Sequence, residues 1–308
     1  MAIIFSSLVV FFSDVSAGCG SMGSCGTLIN GSEIGLGYTY RQDDIQYKFD
    51  SSLDCFTDSF EQTFNKIKIQ QVSGLLKFDI YNIVYSRTKA DFGWVFDGST
   101  HHTSHVFDDT FKDSGCVTNN YVFDFSTAVG CIWDCGANGF KLIPLVGYAW
   151  DNQTFEAGNI EVVEDTRYDS ALGTHLSDVH QIFKANWFGP WIGLDVILDT
   201  FYGWEIFLEF EYHWAEYRGS FSQGDFAING FVVDSVDRHD FGCGQGFVGN
   251  IGLKTNCSCG WYGYIIGGVQ AFNTSQGYTK DENNGGLYAA KYIDWKSYQG
   301  TIGFSYLY

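Results

Sequence analysis

Tyr298-Gln299-Gly300-Thr301-Ile302-Gly303-Phe304-Ser305-Tyr306-Leu307-Tyr308 places Tyr298, Ile302, Phe304, Tyr306 and Tyr308 on one parity and Gln299, Thr301, Gly303 and Ser305 on the other. A period of two is the pattern of a strand whose faces meet different surroundings. Three further segments repeat it. Trp204, Ile206, Leu208, Phe210, Tyr212 and Trp214 oppose Glu205, Glu209, Glu211 and His213. Tyr121, Phe123, Phe125, Thr127 and Val129 oppose Asp124, Ser126, Ala128 and Gly130. Ile34, Leu36, Tyr38 and Tyr40 oppose Glu33, Gly35, Gly37, Thr39 and Arg41.

A soluble sandwich also alternates, but its apolar face packs on a second sheet. Here aromatics sit at or near the ends of the apolar rows (Tyr121; Trp204 and Trp214; Tyr306 and Tyr308), as girdles at two lipid interfaces require. Composition agrees: 28 Phe, 19 Tyr, 9 Trp and 37 Gly stand beside 2 Pro, a mixture that favours strands over helices. No apolar run reaches the roughly 18 residues of a spanning helix, so a membrane protein of this sequence must cross as a closed barrel. A net charge of -19 excludes a general binder of nucleic acid or anionic membrane and belongs on polar loops or a polar lumen.

The fold read from these patterns is an all-β, transmembrane antiparallel β-barrel of about ten strands. They fall near 32–42, 66–78, 81–97, 121–133, 139–151, 180–198, 204–218, 242–256, 261–273 and 294–308. Short periplasmic turns alternate with long extracellular loops, and the even count returns both termini to the periplasm. The second strand lacks a clean apolar row: Lys66, Lys68 and Gln70 face Ile67, Ile69 and Gln71. Pro144 and Gly189-Pro190 interrupt two others. A bulge at Gly189-Pro190 would account for an outward set that shifts from Phe183, Ala185 and Trp187 to Ile192, Leu194 and Val196.

Residues 1–17 read as a secretion signal, with an apolar stretch from Ala2 to Phe12 and Val15-Ser16-Ala17 as the cleavage site, although no Lys or Arg precedes Arg41. The barrel then occupies 18–308, and the expected location is the outer membrane. Nine cysteines in an oxidising compartment point to disulfides: Cys131 with Cys135 and Cys257 with Cys259 flank periplasmic turns, Cys19 and Cys25 precede the barrel, and Cys55 and Cys116 fall in outer loops. The odd number leaves a thiol for links to other envelope proteins.

The segments Leu142-Ile143-Pro144-Leu145-Val146-Gly147-Tyr148, Trp187-Phe188-Gly189-Pro190-Trp191-Ile192-Gly193-Leu194-Asp195 and Phe207-Leu208-Glu209-Phe210-Glu211-Tyr212-His213-Trp214, with Tyr217-Arg218-Gly219 after it, resemble the outer-membrane proteins of Chlamydia-related bacteria, the Protochlamydia type. That resemblance implies porin activity. More distantly the strand order is similar to omptins, ten-stranded aspartyl proteases with loop carboxylates and an Asp-x-His pair beyond the seventh strand. Here Asp108-Asp109 lies in the loop after the third strand, but the loop after the seventh, from Arg218 to Asp225, has no His, and Asp237-Arg238-His239 sits at the far end of that loop. No catalytic residue is therefore assigned. The terminal Phe304, Tyr306 and Tyr308 are similar to the signal read by barrel-assembly machinery.

The alternation turns Glu205, Glu209, Glu211, His213 and Asp195 inward, with Lys184, Lys254 and Lys141 as partners. An acidic wall of this kind suits ion-selective conduction, and the opposing reading is that the charges pair and fill a narrow interior, because about eight strands already enclose packed side chains. His101, His102 and His105 lie near Asp108 and Asp109 without the spacing of a closed metal site, so neither metal nor cofactor is assigned. Lipid, assembly machinery and, through cysteine, other envelope proteins are the expected partners.

Overall fold

The computed structural model describes residues 31–50, 59–106, 109–117, 120–135, 139–166, 173–176, 179–200, 203–228, 231–233, 235–283, 285 and 287–308. The signal expected at 1–17, with Cys19, Cys25, Cys55 and Asp108, lies outside them. The strands are β1 (Gly31–Asp50), β2 (Ser59–Ile80), β3 (Val84–Val106), β4 (Asp109–Val117), β5 (Tyr121–Cys131), β6 (Trp133–Asp134), β7 (Phe140–Asp165), β8 (His175–Leu176), β9 (Gln181–Asp199), β10 (Trp204–Gln223), β11 (Phe226–Ile228), β12 (Phe231–Val233), β13 (Val236–Ser258), β14 (Trp261–Asp281) and β15 (Leu287–Leu307).

All pairings are antiparallel, and β15 pairs back onto β1, so the sheet closes on itself and has no free edge. β4 and β5 share one place in the ring, both lying between β3 and β7. With β1, β2, β3, β7, β9, β10, β13, β14 and β15 this makes ten strand positions. Tight turns gather at one end, where Tyr81 (φ 56°) and Asn82 (φ 54°), then Cys259 (φ 41°) and Gly260 (φ 84°), take the left-handed backbone of two-residue hairpins. Ser32 and Tyr308 exchange backbone hydrogen bonds of 3.2 and 3.0 Å at the same end. Short turns and joined ends mark the periplasmic side.

The strands are far longer than a bilayer requires. β7 has 26 residues, which at about 3.3 Å per residue and a tilt near 45° rises roughly 60 Å, about twice the hydrocarbon thickness. Much of what the sequence suggested as extracellular loop is therefore strand. The physical reason is an inversion of polarity along each strand. In the lower half of β1, Ile34, Leu36, Tyr38 and Tyr40 point outward and Thr39, Arg41 and Asp43 are buried inside. In its upper half Ile45, Tyr47 and Phe49 are the buried ones, while Gln42, Asp44, Gln46 and Lys48 turn out. The lower zone meets lipid outside and polar groups within; the upper zone meets water outside and encloses an apolar core.

The inversion explains both irregular strands. In β2, the buried side of the upper segment is Ile67 and Ile69, and Lys66, Lys68 and Gln70 face out. A bulge at Lys66 (φ 52°) then shifts the pairing, so that Phe64 also points in. In β9, Phe183, Ala185 and Trp187 are buried, contrary to the outward set expected, and there is no bulge at Gly189-Pro190. The register runs through unchanged, Trp191 opposite His213 and Phe188 opposite Glu216. The residues that looked like a change of parity are one inner face crossing from aromatic core to polar lumen.

Candidate functional site

The inner face can be followed upward from the periplasmic mouth. The mouth is a vestibule of about 460 Å³ whose lining includes Glu33, Lys77, Tyr85, Lys141, Glu205 and Lys254. Lys254 Nζ on β13 donates to Glu33 Oε2 on β1 at 2.8 Å and stands over the Tyr262 ring at 4.5 Å.

Above it the lumen is crossed by two buried arginines. Arg87, on β3, donates to Asp195 Oδ1 on β9 at 2.6 Å and to Glu211 on β10, with Glu209 at 3.2 Å. Glu209 also takes Lys89, and Asn250 Nδ2 at 3.1 Å; His213 Nε2 lies 2.9 Å from Glu211. Arg41, on β1, grips Asp43 through two bonds of 2.7 and 2.6 Å and donates a third to Asp124 on β5. Gln71 donates to Asp124 Oδ2 at 3.0 Å and Gln153 to Asp43 Oδ2 at 3.1 Å. The bonds from Arg87, Lys89 and Gln153, and that from Arg41 to Asp124, join walls three or four places apart in the ring, so these groups bridge the interior and do not merely line it.

Higher still the interior is closed by aromatic rings. Phe64 and Phe183 stack at 4.9 Å, Tyr47 and Phe183 at 5.1 Å, and Phe272 and Trp295 at 5.0 Å, with Trp187 and Tyr217 in the same buried cluster and Phe221 buried against Phe60 at 5.9 Å. Arg41 lies 5.1 Å over Trp295, where the ionic and aromatic tiers meet. At the extracellular rim His102 Nδ1 is 3.1 Å from Asp113 Oδ2, its ring against Phe60 at 4.4 Å.

The structure thus places Glu209, Glu211, His213, Asp195 and Lys254 inside, and Glu205 and Lys141 in the vestibule wall. It does not place Lys184 there. That side chain is exposed on the outer face of β9, because the continuous register gives odd positions the interior. Arg41 and Arg87, which organise the lumen, were not singled out, although Arg41 ends the polar row of the first strand. Among the described residues Cys116, Cys131, Cys135, Cys243, Cys257 and Cys259 are all free and exposed. The disulfides considered for Cys131, Cys135, Cys257 and Cys259 are absent: Cys131 is held in the ladder opposite Val84 while Cys135 bonds to Phe140, and β9 and β10 separate that turn from the other. No three His, Cys, Asp or Glu side chains among the described residues form a ready metal ligand set. His101 is exposed, and His105 Nδ1 lies 3.0 Å from Thr110 Oγ1. Asp237 and His239 fall on the parity opposite the buried Arg238 and Asp240, and so turn away from the interior.

Phe304 and Tyr308 are exposed and Tyr306 half-buried on the final strand. On the outside, Trp204, Trp261 and Tyr306 circle the lower edge of the apolar band, and Tyr40, Trp94, Tyr121, Trp214 and Tyr298 the upper edge. Ten residues separate Trp204 from Trp214, about 25 Å of height at the usual tilt, which is the thickness of an outer-membrane band. A closed ten-position barrel with such a band is an outer-membrane β-barrel protein. Residues 33–308 match the family described as Protochlamydia outer membrane protein, and the chain belongs to that family and to the outer membrane.

Of solved structures, the outer membrane protease OmpT from Escherichia coli is similar over 91% of this chain and 97% of its own, with a TM-score of 0.71 at 13% identity, which establishes a shared fold. Looser likenesses are the translocator domain of autotransporter NalP from Neisseria meningitidis (TM-score 0.30, 11% identity, 92% and 89% covered) and a FadL homologue of Pseudomonas aeruginosa (0.27, 9%, 90% and 90%). No curated protein matches the chain.

Proposed function

We propose that this protein is a structural barrel of the outer membrane, closed to solute flow. The observation that supports this reading is the filled interior: the bridges from Arg41 and Arg87 stand directly beneath a full layer of stacked aromatics. A hydrated solute would have to break buried ion pairs and displace close-packed rings, each costing several kcal/mol. The exposed thiols at the periplasmic mouth, Cys131, Cys135, Cys257 and Cys259, suit disulfide links to neighbouring envelope proteins. The reading includes no catalysis, in keeping with Asp237 and His239 lying on the parity opposite the buried Arg238 and Asp240.

The porin reading implied by the family resemblance is the second. It is favoured by the 460 Å³ vestibule, which would be the periplasmic entrance of a channel whose upper tiers open. Single-channel recording in a planar bilayer separates the two. A closed barrel gives no steps in wild type; regular ohmic steps would replace the proposal by the porin reading. Incubation with a peptide library tests the catalytic point, and cleavage lost in Asp237→Ala or His239→Ala would overturn it.

A further inference from the structure

The vestibule at the periplasmic mouth, about 460 Å³, falls within the usual range of small-molecule pockets, and its charges are sorted by sign around the ring. Lys77 comes from β2 and Lys141 from β7, whereas Asp199 ends β9 and Glu205 opens β10. In the ring β2 and β10 are five places apart, so Lys77 and Glu205 stand on opposite walls. Three other charged groups of the lining are already occupied: Lys254 is joined to Glu33 at 2.8 Å, and Asp79 accepts the Asn82 backbone N–H at 2.8 Å.

The rest are not matched by the protein itself. Lys77 Nζ has no hydrogen-bond acceptor among the described residues: Glu209 Oε1 stands 3.9 Å away, and the Phe207 ring 5.1 Å. On the neighbouring β3, Tyr85 is only 5% exposed and its hydroxyl is buried with no partner. Across the cavity Glu205 and Asp199 are directly opposed in the ladder, where like charges repel, and neither makes an ion pair among the described residues. Lys141 is opposite Ile197, diagonal to Asp199, and makes none either. The Thr200 hydroxyl beside Asp199 is also buried without a partner. A wall short of an acceptor therefore faces a wall short of a donor.

We infer that the vestibule binds a short peptide by its two free ends, the carboxylate against Lys77 and Tyr85 and the ammonium between Glu205 and Asp199. An anion alone would leave the two opposed carboxylates uncompensated, and a cation alone would leave Lys77 so. One net-neutral ligand with separated charges answers both through charge-assisted hydrogen bonds. The separation sets its size. A free α-amino acid carries both charges on one carbon and cannot touch opposite walls, whereas 460 Å³ is the volume of a sphere roughly 10 Å across, the extended length of about three residues. Ile143 and Ile197 in the lining give apolar contact to side chains between the ends. The site needs only the vestibule, so it stands whether or not the tiers above conduct.

The test is calorimetric titration of the full chain with trialanine and its end-blocked forms, the protein being folded in a non-ionic detergent so that no zwitterionic headgroup competes. Wild type is expected to show one saturable site for trialanine, weakened at least about 10-fold by N-acetylation, by C-terminal amidation, or by shortening to free alanine. Glu205→Gln should weaken trialanine and abolish the penalty of acetylation while keeping that of amidation; Lys77→Met should do the reverse. Lys184→Met, on the outer face of β9, should bind as wild type does. No saturation of wild type by millimolar trialanine, or blocked peptides that bind wild type as tightly as the free one, would overturn the inference, and neither result depends on a variant folding. The readout is binding at the mouth, so its failure leaves the conductance result untouched.

Discussion

Arg41 and Asp43 share the inner face of β1, two residues apart, and Arg41 also reaches the buried Asp124. Removing one member of a buried pair leaves the others charged and unpaired, at a cost of about 3–5 kcal/mol. Arg41→Ala should therefore lower the unfolding free energy of the barrel, measured by urea titration in lipid vesicles, by that amount, and an unchanged value would show a water-filled lumen. Glycines give a second measure of how tightly the interior is packed. A Cβ at Gly246 would meet the Phe272 ring at 2.2 Å, directly across the ladder, whereas one at Gly300 would meet nothing within 4 Å. Gly246→Ala should cost about 1–3 kcal/mol in the same assay, and Gly300→Ala nothing measurable or a slight gain. At this scale the acidic inner row of β10 is readable from alternation alone. The partners of that row are not, because Arg87 comes from a strand more than a hundred residues away and only closure of the ring brings it near.

Elements were legible where one solvent regime governed the whole segment. β15 below Trp295 and β10 below Trp214 lie within the lipid zone, and their alternation reads directly as outside against inside. β9 spans both zones, so Phe183 and Trp187 share a face with Trp191 and Asp195 yet have opposite polarity to what a lipid-zone rule assigns. Period-two reasoning identifies a strand in either zone; it cannot identify the face without knowing where the membrane ends. β2 was obscured further by its true bulge, where Lys66 adopts φ 52°. A left-handed conformation costs a non-glycine residue about 1–2 kcal/mol and suits β-branched residues worst. Lys66→Gly should raise the thermal midpoint and Lys66→Val should lower it. Equal midpoints would mean that the bulge sits elsewhere in the β2–β3 ladder.

Across the whole molecule one cylinder carries two inside-out halves, and the boundary sits where Tyr40, Trp214 and Tyr298 circle the outer surface. Below it, a charge on the outer face must enter hydrocarbon; above it, the same charge stays in water. Ile302 is exposed midway between the girdle residues Tyr306 and Tyr298, while Asn273 is exposed on the neighbouring β14 beyond Val269. Ile302→Arg should destabilise the barrel by about 2–4 kcal/mol in vesicles, the cost of a basic side chain near the bilayer midplane. Asn273→Arg should change it by less than about 0.5 kcal/mol, as surface substitutions in water do. Measuring both by urea titration in vesicles fixes the membrane boundary on the strand. Equal penalties would extend the lipid zone to the upper half and leave no reason for Phe272 and Trp295 to form a core there.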